Sequence, residues 1–322
     1  MNLSFSRCAC GSALMIFAMA VAGCERTPGP QEVVEAFELI CDPAKLSLAA
    51  GASGMLAARA NDAVGRPIDR ASLQFSASDP RLLRVSAQGE VTSLGPAGRT
   101  SILISTGSRT LTVPVNIFAG PAHRFEAVGG ARRRAIVAGT PSKDTVNVRL
   151  LDSFDNPVAS ASVVFKAAIN PPVSLTTTTD MDGVATITLP TITHAGRFIL
   201  DVHNLGNPQV SLALDVQVNA AAPAALVAVK VPASGPVALF PEFELVLQVR
   251  DGFGNPVPNV LVRWRTGSGS RSFDPQQSRS GPDGQVRTNW QLTGLKGRRA
   301  ILRAFVVDDE KIGFETWIAL ER

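Results

Sequence analysis

Apolar and polar residues alternate on both sides of a short, turn-rich stretch that occurs three times in the 322-residue chain, beginning at Asp62, Asp152 and Asp251. Every second position before each aspartate is apolar, and so is every second position after the turn. These positions are Leu56, Ala58, Ala60, Ala71, Leu73 and Phe75; Val146, Val148, Leu150, Ala161, Val163 and Phe165; and Leu245, Leu247, Val249, Val260, Val262 and Trp264. A period of two predicts half-buried β-strands that face a common core.

The turn between the two strands has the same layout in each copy. A proline follows five positions after the aspartate, and an aromatic residue follows thirteen positions after it. Asp, Gly, Asn and Pro are the residues that turns select for their backbone conformations. The stretches DSFDNPV (152–158) and DGFGNPV (251–257) are therefore interpreted as scaffold, in which the aspartate accepts N–H bonds from the residues just after it.

A calcium site is the functional alternative for the second copy, with Asp152, Asp155 and Asn156 as ligands. The third copy has Gly254 where the second has Asp155, so this ligand set is not repeated. Calcium takes six or more oxygen ligands, and the loop supplies few. The sequence predicts no metal site and no cofactor.

Further short strands follow each turn. Asp182-Gly183 and Asp283-Gly284 each precede another alternating stretch, and a glycine turn then leads to one more strand. Turn signals every eight to twelve residues or so, without a helical period, predict a β-sandwich. The predicted fold class is all-β, with three sandwiches in tandem.

The second and third copies resemble bacterial Ig-like group 1 domains, the modules of invasin and intimin. The resemblance lies in residues 251–257 and in TDMDGVA (179–185), and Asp155 departs from it because the family usually has glycine there. Residues 75–105 of the first copy resemble the group 2 module instead. These resemblances imply Ig-like domains at 44–118, 119–218 and 219–322, and they suggest a role in adhesion.

The first residues are predicted to be a cleaved signal. Arg7 precedes the apolar run ALMIFAMAVAG, which is too short for a membrane span. The end of the run, VAGC (21–24), resembles the lipobox of bacterial lipoproteins, which implies removal of residues 1–23 and lipidation of Cys24. Cleavage at another site is the alternative. Residues 24–43 would then be a lipid-anchored tether, and Glu25 favours the outer membrane, with the surface or periplasmic face left open.

Charge and cysteine content narrow the range of partners. Residues 1–23 contain Arg7 and no other charged residue, so their removal lowers the formal net charge from +4 to +3. This small excess predicts no nucleic-acid partner. Cys8 and Cys10 leave with the signal, so no intrachain disulfide is expected, and Cys41 is either buried or available for an intermolecular bond.

No residue set predicts catalysis. The histidines, His123, His194 and His203, lack metal-ligand spacing and are expected at the surface. Arg132, Arg133 and Arg134 form the densest basic run. They are interpreted as a charged edge strand, with a contact to an anionic polymer as the alternative.

The tryptophans and the acidic run complete the candidates. Trp264, Trp290 and Trp317 lie in alternating patterns and are expected in the core rather than as sugar-stacking platforms. Asp308-Asp309-Glu310 is interpreted as a solvated hairpin tip.

The predicted function is that of a non-enzymatic cell-envelope lipoprotein, attached to the membrane through Cys24. It would act as a structural spacer or as an adhesion or binding module at the bacterial surface. The alternative is a periplasmic accessory protein that binds polysaccharide or an envelope protein complex. The ligand, the protein or polysaccharide partner and the oligomeric state stay open.

Overall fold

The computed structural model describes residues 36–69, 71–107, 109–129, 133–141, 145–232, 236–237, 242–266, 271–292 and 299–320. Within these ranges the regular secondary structure consists of β-strands, with no α-helix, and the strands form seven sheets. No helix in the described part of the chain could cross a membrane.

The first domain packs three small sheets around one core. Its strands are β1 (Glu38–Asp42), β2 (Leu46–Ala49), β3 (Ser53–Met55), β4 (Ala57–Asn61), β5 (Gln74–Ala77), β6 (Leu83–Val85), β7 (Glu90–Ser93), β8 (Gly98–Thr106) and β9 (Arg109–Phe118). The sheet orders are β2-β9-β8-β5, β3-β7-β6 and β1-β4. Strand β1 lies in the stretch expected to be tether, so the first domain begins before residue 44.

The second domain is a sandwich of a three-stranded and a five-stranded sheet. Its strands are β10 (Arg124–Ala127), β11 (Arg133–Val137), β12 (Thr145–Leu151), β13 (Ser162–Ala167), β14 (Val173–Thr178), β15 (Val184–Thr188), β16 (Gly196–Asn204) and β17 (Ser211–Asn219). The sheet orders are β10-β12-β15 and β11-β17-β16-β13-β14.

The third domain repeats this plan with a four-stranded and a five-stranded sheet. Its strands are β18 (Pro223–Lys230), β19 (Pro236–Val237), β20 (Glu242–Asp251), β21 (Leu261–Thr266), β22 (Arg271–Asp274), β23 (Gln277–Arg279), β24 (Gln285–Leu292), β25 (Arg299–Val306) and β26 (Asp309–Leu320). The sheet orders are β18-β20-β24-β22 and β19-β26-β25-β21-β23.

Each domain has a hydrophobic core of its own. The alternation of the second and third copies is confirmed, because Val146, Val148 and Leu150, and Leu245, Leu247 and Val249, are all buried. Phe165 and Trp264 are core residues at 0% and 3% exposure. Phe75 packs against the first core but is only partly buried. The chain is all-β, with three tandem Ig-like β-sandwiches.

The repeated turns connect equivalent strands: β4 to β5, β12 to β13 and β20 to β21. In each copy the proline forms an isolated bridge with the residue just before the aspartate. In the second and third copies a glycine from a second turn packs beneath the proline. A Cβ on Gly183 would lie 3.0 Å from Pro157 Cβ, and one on Gly284 would lie 2.9 Å from Pro256 Cβ. Both glycines also have positive φ, which a residue with a side chain rarely adopts. Because the glycine of the Asp-Gly turn contacts the proline of the aspartate turn, the two turns lie at the same end of the sandwich.

Candidate functional site: the two interdomain junctions

The aspartate of each repeated turn closes its own loop with one carboxylate oxygen. Asp152 Oδ1 accepts hydrogen bonds from the Phe154 and Asn156 N–H groups at 2.8 and 2.9 Å. Asp251 Oδ1 accepts from the Phe253 and Asn255 N–H groups at 2.9 and 2.8 Å. The turn is therefore fixed from within, as the sequence predicts, and it holds its Phe and Asn in a defined place.

Asn156 of the second domain bonds the first domain with both ends of its side-chain amide. Its Oδ1 accepts a hydrogen bond from the Ala97 N–H at 2.7 Å, and its Nδ2 donates to the Gly95 carbonyl at 2.8 Å. Nδ2 donates a second bond to Asp152 Oδ2, also at 2.8 Å. The side chain is buried. One accepted and one donated hydrogen bond to backbone groups is also the pattern by which neighbouring β-strands pair.

Asn255 makes the same set of bonds at the second junction. Its Oδ1 accepts from the Ala195 N–H at 2.9 Å, and its Nδ2 donates to the Thr193 carbonyl at 2.7 Å and to Asp251 Oδ2 at 2.8 Å. The carbonyl and the N–H again come from residues two positions apart. The recipient loops have different sequences, Gly95-Pro96-Ala97 and Thr193-His194-Ala195. The asparagine therefore recognises a backbone shape rather than side chains.

The second oxygen of each aspartate binds the polypeptide that links the domains. The Gly120 N–H donates to Asp152 Oδ2 at 2.7 Å, and the Ala221 N–H donates to Asp251 Oδ2 at 2.9 Å. Strands β9 and β10 are separated by residues 119–123, and β17 and β18 by residues 220–222. Each short link is thus tied to the domain that follows it.

The phenylalanine of the turn packs on glycines of the preceding domain. A Cβ placed on Gly95 would lie 2.4 Å from the Phe154 ring, and one on Gly51 would lie 2.7 Å from it. At the second junction a Cβ on Gly139 would lie 2.0 Å from the Phe253 ring. No side chain fits between ring and backbone at these points. The rings keep 44% and 50% exposure, so each covers glycine backbone with one part and faces solvent with the rest.

The two aspartates are charged, buried and fully bonded. Burial by itself would raise the pKa of Asp152, but hydrogen bonds from the Asn156 side chain and from the Gly120, Asn156 and Phe154 N–H groups outweigh it and hold the pKa below its ordinary value. The pKa of Asp251 is lowered in the same way, against burial, by the Asn255 side chain and by three N–H groups. Both carboxylates stay ionised at neutral pH.

This arrangement does not favour the calcium alternative. Both oxygens of Asp152 accept N–H hydrogen bonds, and Asp155 turns away to pair with Arg124 at 2.8 Å. Asn156 Oδ1 accepts the Ala97 N–H, so it too is engaged by a protein group. The described residues contain no group of three or more His, Cys, Asp or Glu side chains that could hold a metal ion.

The residues that the sequence proposed as sites lie elsewhere. Cys24 and Arg132 are outside the described residues, so lipidation stays a prediction. Arg133 and Arg134 lie in β11, which is an edge strand of its sheet and pairs in parallel with β17. This placement accords with the edge-strand interpretation.

Three further expectations concern Cys41, the three histidines and the acidic run 308–310. Cys41 is buried, and burial raises the pKa of its thiol. His123 and His194 are exposed, whereas His203 is half-buried in β16. The acidic run 308–310 forms the exposed hairpin tip between β25 and β26, as expected.

Trp290 is a core residue, as predicted, but the prediction for Trp317 was wrong. Trp317 is 37% exposed, whereas its neighbour Ile318 is fully buried. Strand β26 therefore places Trp317 on the outer face, with Glu315. The charge two positions before the tryptophan was the signal that could have identified this face.

The junction role of the repeated turn was not predicted from the sequence. Asp152 and Asp251 were identified as the turn-closing residues, but Phe154, Phe253 and Asn255 were given no role, and Asn156 was considered only as a calcium ligand. The available signal was an aromatic residue inside a turn, outside the strand alternation, repeated together with the same asparagine. An aromatic residue repeated in a turn, where its own domain has no core position for it, would have predicted a contact with another domain.

No family model matches the chain significantly, and no curated protein does so. Among solved structures, the chain is similar to the Escherichia coli adhesin FdeC, with 18% identity over 88% of this chain and 96% of that one and a TM-score of 0.47. InvD of Yersinia pseudotuberculosis is 13% identical over 87% and 96% of the two chains, with a TM-score of 0.49. Invasin, a bacterial integrin-binding protein, is 15% identical over 88% of this chain and 59% of that one, with a TM-score of 0.48. The chain thus spans less than two thirds of the invasin chain, and these limited likenesses leave its ligand open.

Proposed function

We propose that the chain is a non-enzymatic cell-envelope lipoprotein whose three sandwiches form a spacer with fixed junctions that carries a binding surface away from the membrane. The observation that supports this most directly is the repeated junction. Two different pairs of domains are joined by the same aspartate, asparagine and phenylalanine contacts.

The contacts at each junction favour one relative orientation of the two domains. The asparagine supplies two hydrogen bonds across the junction, and the aspartate supplies one to the link. A neutral hydrogen bond contributes about 1 kcal/mol net, and one to a charged group about 1.5–3 kcal/mol. Even 1.4 kcal/mol corresponds to about a tenfold preference. We infer that such a junction keeps successive domains in one preferred relative orientation.

The contacts join opposite ends of successive sandwiches. The turn 152–156 lies at the end of the second domain that receives the link from the first. The loop 193–195 that contacts the third domain precedes β16, at the other end of the same sandwich. Domains joined in this way extend the chain rather than fold it back, which is what a spacer requires.

Anchoring is tested by Cys24→Ser. The lipobox hypothesis requires the native protein to partition into the detergent phase and the variant into the aqueous phase, because two or more acyl chains anchor stably. Cys41→Ser is the matched control, since Cys41 is buried in the first domain. If the Cys24→Ser protein still enters the detergent phase, the lipobox assignment is rejected.

Protease treatment of intact and lysed cells tests the location. A surface spacer is digested on intact cells, whereas a periplasmic accessory protein is protected until lysis. Protection would reject the surface role and support the periplasmic alternative, whose envelope partner could then be sought by crosslinking.

A further inference from the structure

The outer face of the five-stranded sheet in the third domain carries an unusual group of side chains. Strands β21, β25 and β26 lie side by side, and their inward residues Trp264, Leu302 and Ile318 are core residues. The opposite face includes Arg263, Arg265, Ile301, Arg303, Glu315 and Trp317, and we call this set of six the arginine–tryptophan face. Three cations and one carboxylate give it a formal charge of +2.

The second domain provides a matched internal reference. Its strands β13, β16 and β17 occupy the same places, and the cross-strand registers can be superposed residue by residue. Where the third domain pairs Arg265 with Arg303, the second pairs Lys166 with Asp201. Where the third pairs Ile301 with Trp317, the second pairs Ile199 with Asp215.

The reference face has positive and negative side chains in opposing positions. Lys166 lies opposite Asp201, and Asp215 forms an ion pair with Arg197 at 2.8 Å. Opposite charges across strands stabilise a sheet, whereas like charges directly opposite one another destabilise it. The third domain has two arginines in the place of the Lys–Asp pair. The two arginines repel each other, and Glu315 of the same face pairs with Arg303, so among the described residues Arg265 is the cation left for an external anion.

The arginines of the face have few anionic partners of their own. Arg303 Nε donates to Glu315 Oε2 at 2.7 Å, and both side chains are more than half exposed. The Arg265 guanidinium lies over the Phe305 ring, 4.7 Å from its centroid. Among the described residues Arg265 has no carboxylate partner. Stacking on a ring holds the planar guanidinium in place and leaves its N–H groups free to bind a carboxylate or a phosphate.

Trp317 adds an apolar surface beside these charges. It is 37% exposed at the position that holds Asp215 in the second domain. The acidic hairpin tip 308–310 lies at one end of the same strands, and its Glu310 lines a shallow pocket together with Arg303, Phe305 and Glu315. Arg265 and Trp317 do not line that pocket, so they form the part of the face that lies apart from the acidic tip.

We propose that the arginine–tryptophan face binds an acidic polysaccharide. Guanidinium groups match the planar geometry of carboxylates with two parallel hydrogen bonds, and an indole covers the apolar C–H face of a sugar ring. An open sheet face also suits an extended chain better than a small molecule, which needs an enclosed pocket. This inference names a ligand for the binding surface of the proposed function, but it does not depend on anchoring and is tested on purified protein.

The test uses the full chain, purified in detergent, with polygalacturonate as the acidic polysaccharide, poly-L-glutamate as an acidic polymer without sugar, and dextran as a neutral sugar polymer. We expect polygalacturonate to bind, dextran not to bind, and the affinity to fall as salt is added. The double variant Arg265→Gln/Arg303→Gln should weaken polygalacturonate binding roughly tenfold or more. Lys166→Gln, at the place in the second domain that Arg265 occupies in the third, should leave it unchanged.

Trp317→Ala separates a polysaccharide from an acidic protein. It should weaken polygalacturonate binding and leave poly-L-glutamate binding as it was. Unchanged melting temperatures of the variants show that the domain stays folded. Failure of polygalacturonate to bind, or equal weakening by Lys166→Gln, overturns the proposal. Equal binding of both polymers with no effect of Trp317→Ala overturns the polysaccharide assignment and favours an acidic protein partner.

Discussion

The repeated turn has the same internal hydrogen bonds in all three domains, but its other contacts differ between the first domain and the later two. Asp62 Oδ1 accepts N–H hydrogen bonds from Val64 and Arg66 at 3.0 and 2.9 Å, as its counterparts do in the later copies. Val64 stands where the others have phenylalanine, and it is 69% exposed. Arg66 stands where they have asparagine and lies 3.5 Å from Asp62 Oδ2, the oxygen that binds the link in the other copies.

This difference separates two roles within one motif. The aspartate and the proline build the turn in all three domains, so they belong to the scaffold. The phenylalanine and the asparagine occur in the two copies that contact a preceding domain, and they make those contacts. The turns that serve as junctions thus differ from the first-domain turn in two side chains, whereas the hydrogen bonds from backbone N–H groups to the aspartate are the same.

The largest expected effect comes from the core aromatics that end the paired strands. Phe165→Ala removes a fully buried ring and should destabilise the second domain by about 3–5 kcal/mol. Phe75→Ala, the matched change in the first domain, should have a smaller effect because Phe75 is only partly buried. Urea unfolding of both variants, followed by limited proteolysis to identify the unfolded domain, measures this. Loss of all three domains together after Phe165→Ala would contradict separate cores.

A smaller but more specific effect is expected from Asn255→Ala. The change deletes two hydrogen bonds across the second junction, worth about 1 kcal/mol each, so non-native orientations should become roughly thirtyfold more populated. Spin labels on Asp201→Cys and Asn289→Cys, both exposed and in different domains, report the distance distribution by double electron–electron resonance. The distribution should broaden.

Arg66→Ala is the matched control for this experiment, because it alters the same position of the first-domain turn. It should leave the distance distribution between the second and third domains as in the native chain. A narrow, native distribution in Asn255→Ala would show that the junction is held by something other than the asparagine.

Sequence patterns could predict the sandwiches but not the junctions, and the reason is physical. Burial of one face imposes a period of two on a strand, so Val146, Val148 and Leu150 announce their position in the sequence itself. The partners of Asn156 are a carbonyl and an N–H in the loop 95–97, about sixty positions away, and every residue except proline has both groups. The residue types of that loop therefore do not predict its hydrogen bonds to Asn156.

The outer face of the third domain shows a second limit of pattern reasoning. Alternation establishes that neighbouring residues point to opposite faces, but it leaves open which face is buried. Trp317 was assigned to the core because it lies in an alternating pattern, which is also consistent with the opposite phase. The phase of β26 is set instead by Ile318, which is fully buried, and by Glu315, which cannot be.

Acid should loosen both junctions. The pKa values of Asp152 and Asp251 are lowered in the folded protein, so their stabilising contribution is fully present above the ordinary aspartate pKa of 3.8 and is lost as the pH falls through the lower folded values. Protonation removes the negative charge of each carboxylate and turns one of its oxygens into a hydroxyl, which weakens the hydrogen bonds from the link N–H groups. The spin-label distances should therefore stay native down to about pH 4 and broaden below it.

The first domain distinguishes loosened junctions from general acid unfolding. The pKa of Asp62 is also lowered, first by the hydrogen bond from the Arg66 N–H, so this turn weakens in the same pH range. Within the described part of the chain, the Asp62 carboxylate bonds only to groups of its own turn. Circular dichroism that stays native while the distances broaden identifies the junctions as the acid-sensitive element. Simultaneous loss of both signals would instead point to unfolding of whole domains.

The smallest effect is expected where the junction residues are placed on the turn that lacks them. Val64→Phe together with Arg66→Asn gives the first domain the Phe and Asn of its counterparts while keeping Asp62 and Pro67. Both positions are exposed, so the stability of the first domain should change by no more than about 0.5 kcal/mol. Phe154→Val together with Asn156→Arg, the reverse exchange, should broaden the distances between the first and second domains. A clear gain in first-domain stability from Val64→Phe/Arg66→Asn would contradict this prediction. So would an unchanged distance distribution in Phe154→Val/Asn156→Arg. Either result would show that these side chains stabilise their own turn rather than the contact with the neighbouring domain.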